Sequence, residues 1–443
     1  MAVPSSVDFG SVNRPSVPEE EKQRWRVQVK SSIMEKGGEV KEYGGDHEQE
    51  IQSMKIFFAG SETMQIPNIP ISLGKMGHEV LLYEKSMEYV EEHEEEYDKF
   101  KQFLQINRPD LVISTVFFQI AAAYTNQLEI KYAVYGMDSP HYAAWVPQYP
   151  RLENVYLFHF DTREIRRFRE AGYSNVYYLP LAAGVTWADR IHVSAAERKQ
   201  LGSDVSFVGG MYSENPFDRY GGKLMQSVQE QIWDIIESSA FIWDGQERLQ
   251  AGVSRKLVEY CREAAPELCN SGFLMDDEYY FRQWTIARKL SNVERTLLFE
   301  QAAEAFDFRL YTREKEIVPE QIHRYPPVNA MTDQLKVFQS SAINLNLTLR
   351  SIESGVPLRV FDILSVGGFV LTDYRVDAED IFREDEEIIM FRNPEEMLDK
   401  AAYYLKHAKE RERIAQKGYR AARERCSYER MLAELLQTIF HKP

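Results

Sequence analysis

Two arginines surround one Gly-Val-Pro turn late in the chain, in a pattern suited to binding an anion. The stretch reads NLNLTLRSIESGVPLRVFDILSVGGFVLT over residues 344–372. Arg350 precedes the turn, and Arg359 follows it in the first turn of a predicted helix. Guanidinium groups suit bidentate binding of phosphate oxygens, and a helix N-terminus adds backbone N–H donors. We therefore expect a phosphate site here, although two surface cations would give the same spacing.

Three further side chains could complete that site. Asp362 lies one helical turn after Arg359, where it could bind a ribose hydroxyl or pair with the arginine. Asn346 ends the strand before the turn, although asparagine in such a place often satisfies loop backbone groups. Tyr325 precedes two prolines and could stack on a nucleobase or simply belong to a rigid turn.

Glycines follow the first strand of each of two predicted sheets. Gly60 and Ser61 come after one of these strands, and Gly209 and Gly210 come after the other. Glycine lets a ligand approach the backbone closely, although a plain tight turn is an equal explanation at each place. Neither place carries the Gly-x-Gly-x-x-Gly fingerprint, which disfavours a dinucleotide cofactor. Two such loops that face one cleft favour a ligand site between the sheets.

Asp138 and His141 are the candidate catalytic residues, in the sequence Asp-Ser-Pro-His after a predicted strand. A carboxylate and an imidazole three residues apart could act as a general base or orient a hydroxyl group. An aspartate turn cap beside a surface histidine is the alternative. His159 and Asp161 repeat the arrangement after the next strand, with the same two interpretations.

No metal site and no cofactor is predicted. The sequence lacks the His-Glu-x-x-His, Gly-x-Ser-x-Gly and Walker patterns. Asp276 and Asp277 are adjacent, whereas metal-dependent sugar transfer often uses a spaced Asp-x-Asp. The three cysteines, Cys261, Cys269 and Cys426, fit no zinc spacing, and so few in a long chain suggest a reducing compartment.

The elements that must hold these residues alternate between strand and helix, which predicts an α/β fold with mostly parallel sheets. In such sheets ligands bind at the carboxyl ends of the strands, where the polar residues cluster. The predicted strands cover residues 56–59, 80–83, 111–114, 132–135, 155–158, 176–178, 204–210, 308–311, 342–347 and 369–371, with a last one near 388–390.

The chain divides into two Rossmann-like domains. Residues 1–53 are polar and form an extension, either a leader or a functional arm. The first domain covers 54–200, and the second covers 201–420 with a helical insertion at about 221–305. Residues 421–443 form a last helix that could return to the first domain.

Composition limits the partners and the compartment. The 443 residues include 53 Lys and Arg against 69 Asp and Glu, a formal charge of -16. An acidic chain is a poor match for a nucleic-acid backbone, so we expect no nucleic-acid partner. No apolar run is long enough to span a membrane, and no signal peptide is recognisable. We expect a cytoplasmic protein.

Four segments carry a resemblance to a known family. They are VYGMDSPHY (134–142), FHFDTREIRRFREAGYSNVYYLPLA (158–182), DVSFVGGMY (204–212) and the long block from residue 344. From residue 54 to its end the chain resembles the CgeB-like (spore-maturation-protein-like) group-1 glycosyltransferases. The resemblance implies a GT-B fold, with nucleotide-sugar mainly on the second domain, acceptor mainly on the first, and no obligatory metal.

The resemblance also assigns roles to residues. Arg350, Arg359 and Asp362 match the nucleotide-sugar loop, and Asp138 matches the Asp-Ser-Pro loop on the acceptor side. Glu353 and Asp362 stand where the family often has a Glu-x7-Glu pair, but eight residues separate them and the second is an aspartate.

These assignments predict transfer of a sugar from a nucleoside-diphosphate sugar to a hydroxyl group on a protein, glycan or surface component, without a metal. An inverting enzyme would use Asp138 or His141 as its base, and a retaining one would need no dedicated base. The alternative is a non-catalytic GT-B module that binds nucleotide sugars or acts as a scaffold in surface assembly. An epimerase or a phosphorylase on the same fold is a third possibility.

Overall fold

The computed structural model describes residues 53–61, 67–269, 272–314 and 322–440. Apart from Ser53, the predicted extension lies outside these ranges. Within them, the strands form two six-stranded sheets in which all paired strands are parallel. We call β1–β6 with their helices the N-terminal half, and β7–β12 with theirs the C-terminal half.

The N-terminal sheet has the strand order β2-β1-β3-β4-β5-β6. Its strands are β1 (Lys55–Phe58), β2 (Glu79–Leu82), β3 (Leu111–Ser114), β4 (Lys131–Gly136), β5 (Val155–His159) and β6 (Val176–Tyr178). The α-helices of this half are Asn68–Lys75, Met87–Glu92, Tyr97–Asn107, Gln119–Gln127, Thr162–Glu170, Val185–Ala188 and Ala195–Leu201, with single helical turns at Glu94–Glu96, Tyr142–Ala144 and Tyr149–Arg151.

The C-terminal sheet has the order β12-β11-β10-β7-β8-β9. Its strands are β7 (Val205–Val208), β8 (Phe308–Tyr311), β9 (His323–Tyr325), β10 (Ile343–Asn346), β11 (Val370–Asp373) and β12 (Ile389–Phe391). The helices that follow β9 are Asp333–Ser340, Leu358–Ser365, Ala378–Ile381, Pro394–Lys406, Ala408–Arg425 and Tyr428–Phe440.

A helical region separates β7 from β8. Its helices are Pro216–Tyr220, Gln226–Ser239, Arg248–Gly252, Arg255–Ala264, Asp277–Phe281 and Ala287–Ala305, with short turns at Gly221–Lys223 and Pro266–Leu268 and a π-helical turn at Arg282–Ile286. This region also packs on the N-terminal half, because Leu274 N–H donates to Trp145 O at 3.0 Å. Met275 and Tyr279 join the hydrophobic core of the N-terminal half. The region therefore bridges the two sheets.

The last helix, Tyr428–Phe440, also contacts the N-terminal half. Lys131 Nζ donates to Ile439 O at 2.8 Å, and Thr186 Oγ1 donates to Glu429 Oε1 at 2.8 Å. The apolar face of the helix, which includes Leu432, is buried in the core that both halves share. The last described helix thus packs on the N-terminal half.

Parallel sheets with helices on both faces bury their central strands, and this is why most strand segments are rich in apolar residues. Strands β3, β7, β10 and β11 are buried at every position. The predicted fold class, an α/β protein with two Rossmann-like parallel sheets, is confirmed. No helix among the described residues has the length and apolarity needed to cross a membrane.

Two local features do not follow from the predicted strands. The acidic segment 89–103 is not one continuous helix, because the helix is interrupted at His93 between Met87–Glu92 and Tyr97–Asn107. Strand β9 was not predicted, since His323–Tyr325 is short and ends directly before two prolines. It lies at the sheet edge, where a short polar strand needs only one partner.

Candidate functional site

Arg359 lies at the carboxyl edge of the C-terminal sheet, in the first turn of helix Leu358–Ser365. Its guanidinium carbon is 5.3 Å from the Phe207 ring centre, and a Cβ added to Gly209 would lie 3.0 Å from its Nη2. None of the described residues forms a hydrogen bond or ion pair with this side chain, and its Nε is buried without a partner. A buried donor without an acceptor is costly, so the site favours an added anion.

Arg295 reaches the same edge from helix Ala287–Ala305. It is buried, donates to the carbonyl oxygens of Gly210 and Leu347, and stacks 4.7 Å from the Tyr212 ring centre. No described carboxylate forms an ion pair with it. Burial first, and then the charge of Arg295, lower the pKa of Arg359 to about 10. The sheet edge thus carries two adjacent cations that lack a counter-ion among the described residues.

One set of backbone donors at this edge is open, and a second set is already occupied by a carboxylate. The helix that begins with Leu358 has Pro357 at its N-cap, no side-chain cap and no acidic residue in its first turn. The loop after β7 offers successive N–H groups, and those of Tyr212 and Ser213 donate to the Glu314 carboxylate at 3.1 and 2.9 Å. Successive N–H groups that converge in this way bind anions. A Cβ at Gly210 would lie 3.0 Å from Glu314 Oε1, so glycine lets the carboxylate approach.

Asp362 lies one turn beyond Arg359 and accepts a hydrogen bond from Gln334 Nε2 at 3.2 Å. Burial raises the pKa of Asp362 to about 7, and the charge of Arg359 opposes that rise. The two side chains form no ion pair, so the arginine stays available. A ribose contact through Asp362 stays a prediction.

Arg350 is a correction to the predicted site. Its Nε donates to Glu294 Oε2 at 2.8 Å. Its Nη2 donates to Glu294 Oε1 and also, at 3.0 Å, to Ile242 O. The guanidinium also stacks 5.1 Å from the Trp243 ring centre. This arginine is neutralised inside the C-terminal half and stabilises the packing of the helical region, whereas the sequence predicted a phosphate ligand.

Asn346 is also directed inward. It is buried, and its Nδ2 donates to Thr372 Oγ1 at 2.9 Å and to Thr348 Oγ1 at 3.1 Å, which ties the ends of β10 and β11 together. Its Oδ1 is buried without a partner among the described residues, and its contact with nucleotide stays a prediction. Tyr325 lies on the edge strand and stacks on Tyr311 at 5.1 Å. Its contact with a nucleobase stays a prediction.

His141 cannot serve as the predicted general base in this conformation. It is buried, and its Nε2 accepts the Phe117 N–H at 3.2 Å, so the proton of the neutral ring is on Nδ1. Burial lowers the pKa of His141 to about 3. Asp138, three residues earlier, is exposed and stays the candidate base.

Acidification is expected to destabilise the wild-type protein through His141. An unfolded histidine has a pKa of about 6.5, whereas the pKa of His141 in the folded protein is about 3. Between these two pH values the unfolded state therefore binds more protons than the folded state. The free energy of unfolding should therefore fall as the pH is lowered, by about 3 kcal/mol between pH 7 and 4. Urea unfolding of wild type and His141→Gln, which does not titrate, measures the difference. Equal pH slopes for the two proteins would contradict the neutral buried state.

Asp161 holds the two halves together. It caps helix Thr162–Glu170 and accepts the Arg163 N–H at 3.1 Å. From the C-terminal half it accepts the N–H of Glu353 at 2.7 Å and the hydroxyl of Ser354 at 2.7 Å. We call Asp161 with these two partners the inter-half clasp. It gives this residue a structural role, where the sequence suggested a second acid–base pair.

Neighbouring residues reinforce the inter-half clasp. Thr162 Oγ1 lies 2.7 Å from Asp377 Oδ1, and the Glu353 carboxylate pairs with Arg167 and accepts from Gln283 Nε2 at 2.7 Å. Burial raises the pKa of Glu353, and Arg167 opposes that rise. The residue that matches the first glutamate of the acidic pair therefore joins the halves in this conformation.

Gly60 and Ser61 lie at the carboxyl end of β1, in the N-terminal half. Gly60 O accepts the Met87 N–H at 3.1 Å, and the buried Ser61 hydroxyl donates to Glu88. A Cβ at Gly60 would make an ordinary 3.8 Å contact with Phe58, so packing does not require glycine there. The acceptor-side role of this loop stays a prediction.

The sequence did not indicate Arg295, Glu314 or the role of Asp161. Arg295 is far from the predicted loop in sequence and lies on a helix that was interpreted only as part of an insertion. The usable signal was Arg288, Asn292 and Arg295 at helical spacing, which places three polar groups on one face. The contact of Asp161 with the other half depends on how the halves dock, which a local pattern does not encode.

Comparisons with known proteins bear on the C-terminal half. Residues 288–437 match the family described as Glycosyl transferase-like, and no curated protein matches the chain. The matched range begins in helix Ala287–Ala305 and includes Arg295 and Arg359. The C-terminal half therefore carries a glycosyl-transferase-like domain, and the predicted enzyme class is confirmed at that level. The narrower CgeB-like resemblance stays a prediction.

Several solved structures are similar to the chain at low identity. A glycosyltransferase from Rickettsia africae ESF-5 is 9% identical, with a TM-score of 0.46, over 88% of this chain and 98% of that one. HepE from Anabaena in complex with UDP and glucose is 9% identical, with a TM-score of 0.48, over 88% and 100%. An alpha-glucosyltransferase in complex with UDP-glucose and DNA containing an abasic site is 14% identical, with a TM-score of 0.48, over 87% and 99%.

Proposed function

We propose that this protein transfers a sugar from a nucleoside-diphosphate sugar to a hydroxyl group of a protein, glycan or surface component. The observation that carries the proposal is the guanidinium of Arg359, which is partly buried, unpaired among the described residues and adjacent to Arg295. A bound pyrophosphate would neutralise both cations and supply charge-assisted hydrogen bonds. The family match over residues 288–437 supports the same reaction class.

The reaction places new negative charge on the departing diphosphate as the glycosidic bond breaks. Preorganised donors at such a position commonly give the largest catalytic term. The two arginines and the N-terminal amides of helix Leu358–Ser365 would provide them without a divalent ion. If the reaction inverts the anomeric centre, the exposed Asp138 is the base; if it retains, no dedicated base is needed.

We assign this activity to the cytoplasm, with no nucleic-acid partner. Cys261, Cys269 and Cys426 are all buried and form no disulfide, in keeping with a reducing compartment. The formal charge of -16 disfavours a nucleic-acid backbone as the acceptor.

Purified protein is expected to bind a nucleoside diphosphate and to release sugar from the matching donor. Thermal shift with UDP, GDP, ADP and dTDP identifies the base, since a ligand at 100 times its Kd adds about 2.7 kcal/mol of stability. Diphosphate release from the corresponding donors, with and without mixed glycan acceptors, then measures turnover. Full activity in excess EDTA is expected, and its loss would contradict metal independence.

The same assays separate the alternatives. Stabilisation by a nucleotide with no sugar release for any acceptor would indicate a non-catalytic nucleotide-sugar-binding module. The absence of stabilisation by every nucleotide would reject the site at Arg359.

A further inference from the structure

Four aromatic side chains meet where the N-terminal half contacts the helical region. Tyr142, from the loop after β4, has its ring centre 5.9 Å from that of Phe273, 5.7 Å from that of Tyr280 and 5.8 Å from that of Trp284. Tyr142, Phe273 and Trp284 are only partly buried. We call these four residues the aromatic cluster. It presents ring surface beside the loop that carries Asp138.

Arg288 lies against this cluster, with its guanidinium carbon 4.3 Å from the Trp284 ring centre. Among the described residues no carboxylate or carbonyl pairs with it, and its Nε is buried without a partner. The Tyr142 hydroxyl is also buried without a partner. Burial raises the pKa of that hydroxyl, while Arg288 opposes the rise and Asp138 adds to it. A cation and a hydroxyl thus lack partners beside a ring surface.

Arg288 is separate from the phosphate site. It lies seven residues before Arg295 on one helix, which at 1.5 Å per residue is about 10 Å along the axis. Arg295 contacts carbonyl groups of the C-terminal sheet, whereas Arg288 lies near Tyr142 of the N-terminal half. Seven residues are close to two helical turns, so both arginines lie on the same face of the helix.

We propose that the aromatic cluster and Arg288 form the acceptor subsite, and that the acceptor is a sugar bearing a carboxylate or phosphate group. This inference rests on the proposed function for the name "acceptor", but the binding that it predicts does not depend on turnover. The apolar face of a sugar ring would cover the partly exposed rings, and its anionic group would bind the guanidinium of Arg288. A hydroxyl of that sugar would then lie near Asp138, which is on the same loop as Tyr142.

Packing alone would explain the rings but not the arginine. An aromatic contact between two halves needs no cation, and an arginine placed only for packing leaves its donors unpaired at a cost. Guanidinium groups bind planar carboxylate and tetrahedral phosphate oxygens in pairs, and they stack on aromatic rings at the same time. The combination therefore fits an acidic sugar better than a neutral one.

The test is direct binding of matched sugars to the protein saturated with its nucleoside diphosphate. Calorimetric titration with glucose, glucuronic acid and glucose 6-phosphate, and with the three galactose counterparts, gives dissociation constants for neutral, carboxylated and phosphorylated forms. At least one acidic sugar is expected to bind 10-fold or more tightly than its neutral counterpart. Arg288→Met should remove this preference with a 10- to 100-fold loss for the acidic sugar alone. Arg288→Lys should keep part of it.

Arg219→Met is the matched control, because Arg219 also stacks on an aromatic ring, 5.3 Å from Tyr220, but is exposed and contacts no residue of the aromatic cluster. Its acceptor affinities should equal those of wild type. Equal affinity of wild type for acidic and neutral sugars, no binding of any probe, or an unchanged preference in Arg288→Met would overturn the proposal. Loss of nucleotide binding in Arg288→Met would place the arginine on the donor and overturn it as well. Failure of wild type to bind any nucleotide would reject the proposed function and leave the acidic-sugar titration to decide this inference separately.

Discussion

Arg359→Met is expected to lower kcat by about 10²- to 10³-fold, the loss that follows when one preorganised donor to a developing oxyanion is removed. The variant should nevertheless be as stable as wild type or more stable. In the absence of donor, Arg359 is partly buried beside Arg295 and has no ion-pair partner in the described ranges, so its removal relieves repulsion instead of breaking a pair. Steady-state kinetics and urea unfolding of the same preparation measure both effects. A normal kcat would reject the phosphate role.

Arg350→Met is the matched control, because Arg350 lies nine residues earlier in the chain, in the loop that leads to the helix of Arg359. Its loss leaves Glu294 buried without its partner, and breaking a buried ion pair in this way costs about 3–5 kcal/mol. The folded fraction of this variant should keep kcat close to that of wild type. We therefore expect Arg359→Met to lose activity and keep its stability, and Arg350→Met to lose stability and keep its activity. The same direction of change in both variants would mean that the site is wrongly assigned.

The contrast between these arginines marks the limit of what the sequence predicts. Strand and helix alternation predicts both sheets, and the Gly-Val-Pro turn places Arg350 and Arg359 at the right sheet edge. Which of the two is neutralised depends on Glu294, which lies on a helix interpreted only as an insertion. A local pattern gives the position of a charge, but its ionic partner is set by tertiary packing.

Tertiary packing also decides between the two candidate bases, Asp138 and His141. The sequence interprets Asp138 and His141 as equal candidates because their spacing is compatible with joint action. In the structure Asp138 is exposed, whereas His141 is buried and its Nε2 accepts a hydrogen bond from the Phe117 N–H. Burial therefore decides between them, and periodicity in a short loop does not predict burial.

Asp161→Ala is expected to lower the free energy of unfolding by about 3 kcal/mol or more. It leaves the N–H groups of Glu353 and Ser354 without their acceptor, and each such loss costs about 1–3 kcal/mol, whereas the hydroxyls of Ser354 and Ser139 keep Asp377 and Glu164 as acceptors. Since both of these N–H groups belong to the other half, the cleft should also open. Urea unfolding and the radius of gyration from small-angle scattering measure the two effects.

Asp276→Ala provides the comparison, because Asp276 also caps a helix, accepting the Tyr279 N–H at 2.9 Å, but it forms no hydrogen bond to the N-terminal half in the described part of the chain. Loss of such a cap costs about 1 kcal/mol. The radius of gyration should not change in this variant. If Asp161→Ala and Asp276→Ala lose equal stability and keep the same radius, Asp161 acts as a helix cap alone.

The charge of Asp161 in the inter-half clasp is expected to affect how well the closed halves exclude water. Burial alone would raise the pKa of Asp161, but hydrogen bonds from Ser354 and Glu353, with His159 and Arg375 nearby, lower it below its ordinary value. Because the folded pKa is depressed, the stabilisation is complete above the unfolded value of about 3.9 and is lost as the pH falls through the folded one. The stabilisation by the clasp is therefore complete at pH 7, where we expect a closed cleft to limit hydrolysis of the donor. Asp161→Asn, which removes the charge at nearly constant shape, should raise the ratio of donor hydrolysis to sugar transfer at pH 7. An unchanged ratio would show that closure does not depend on this carboxylate.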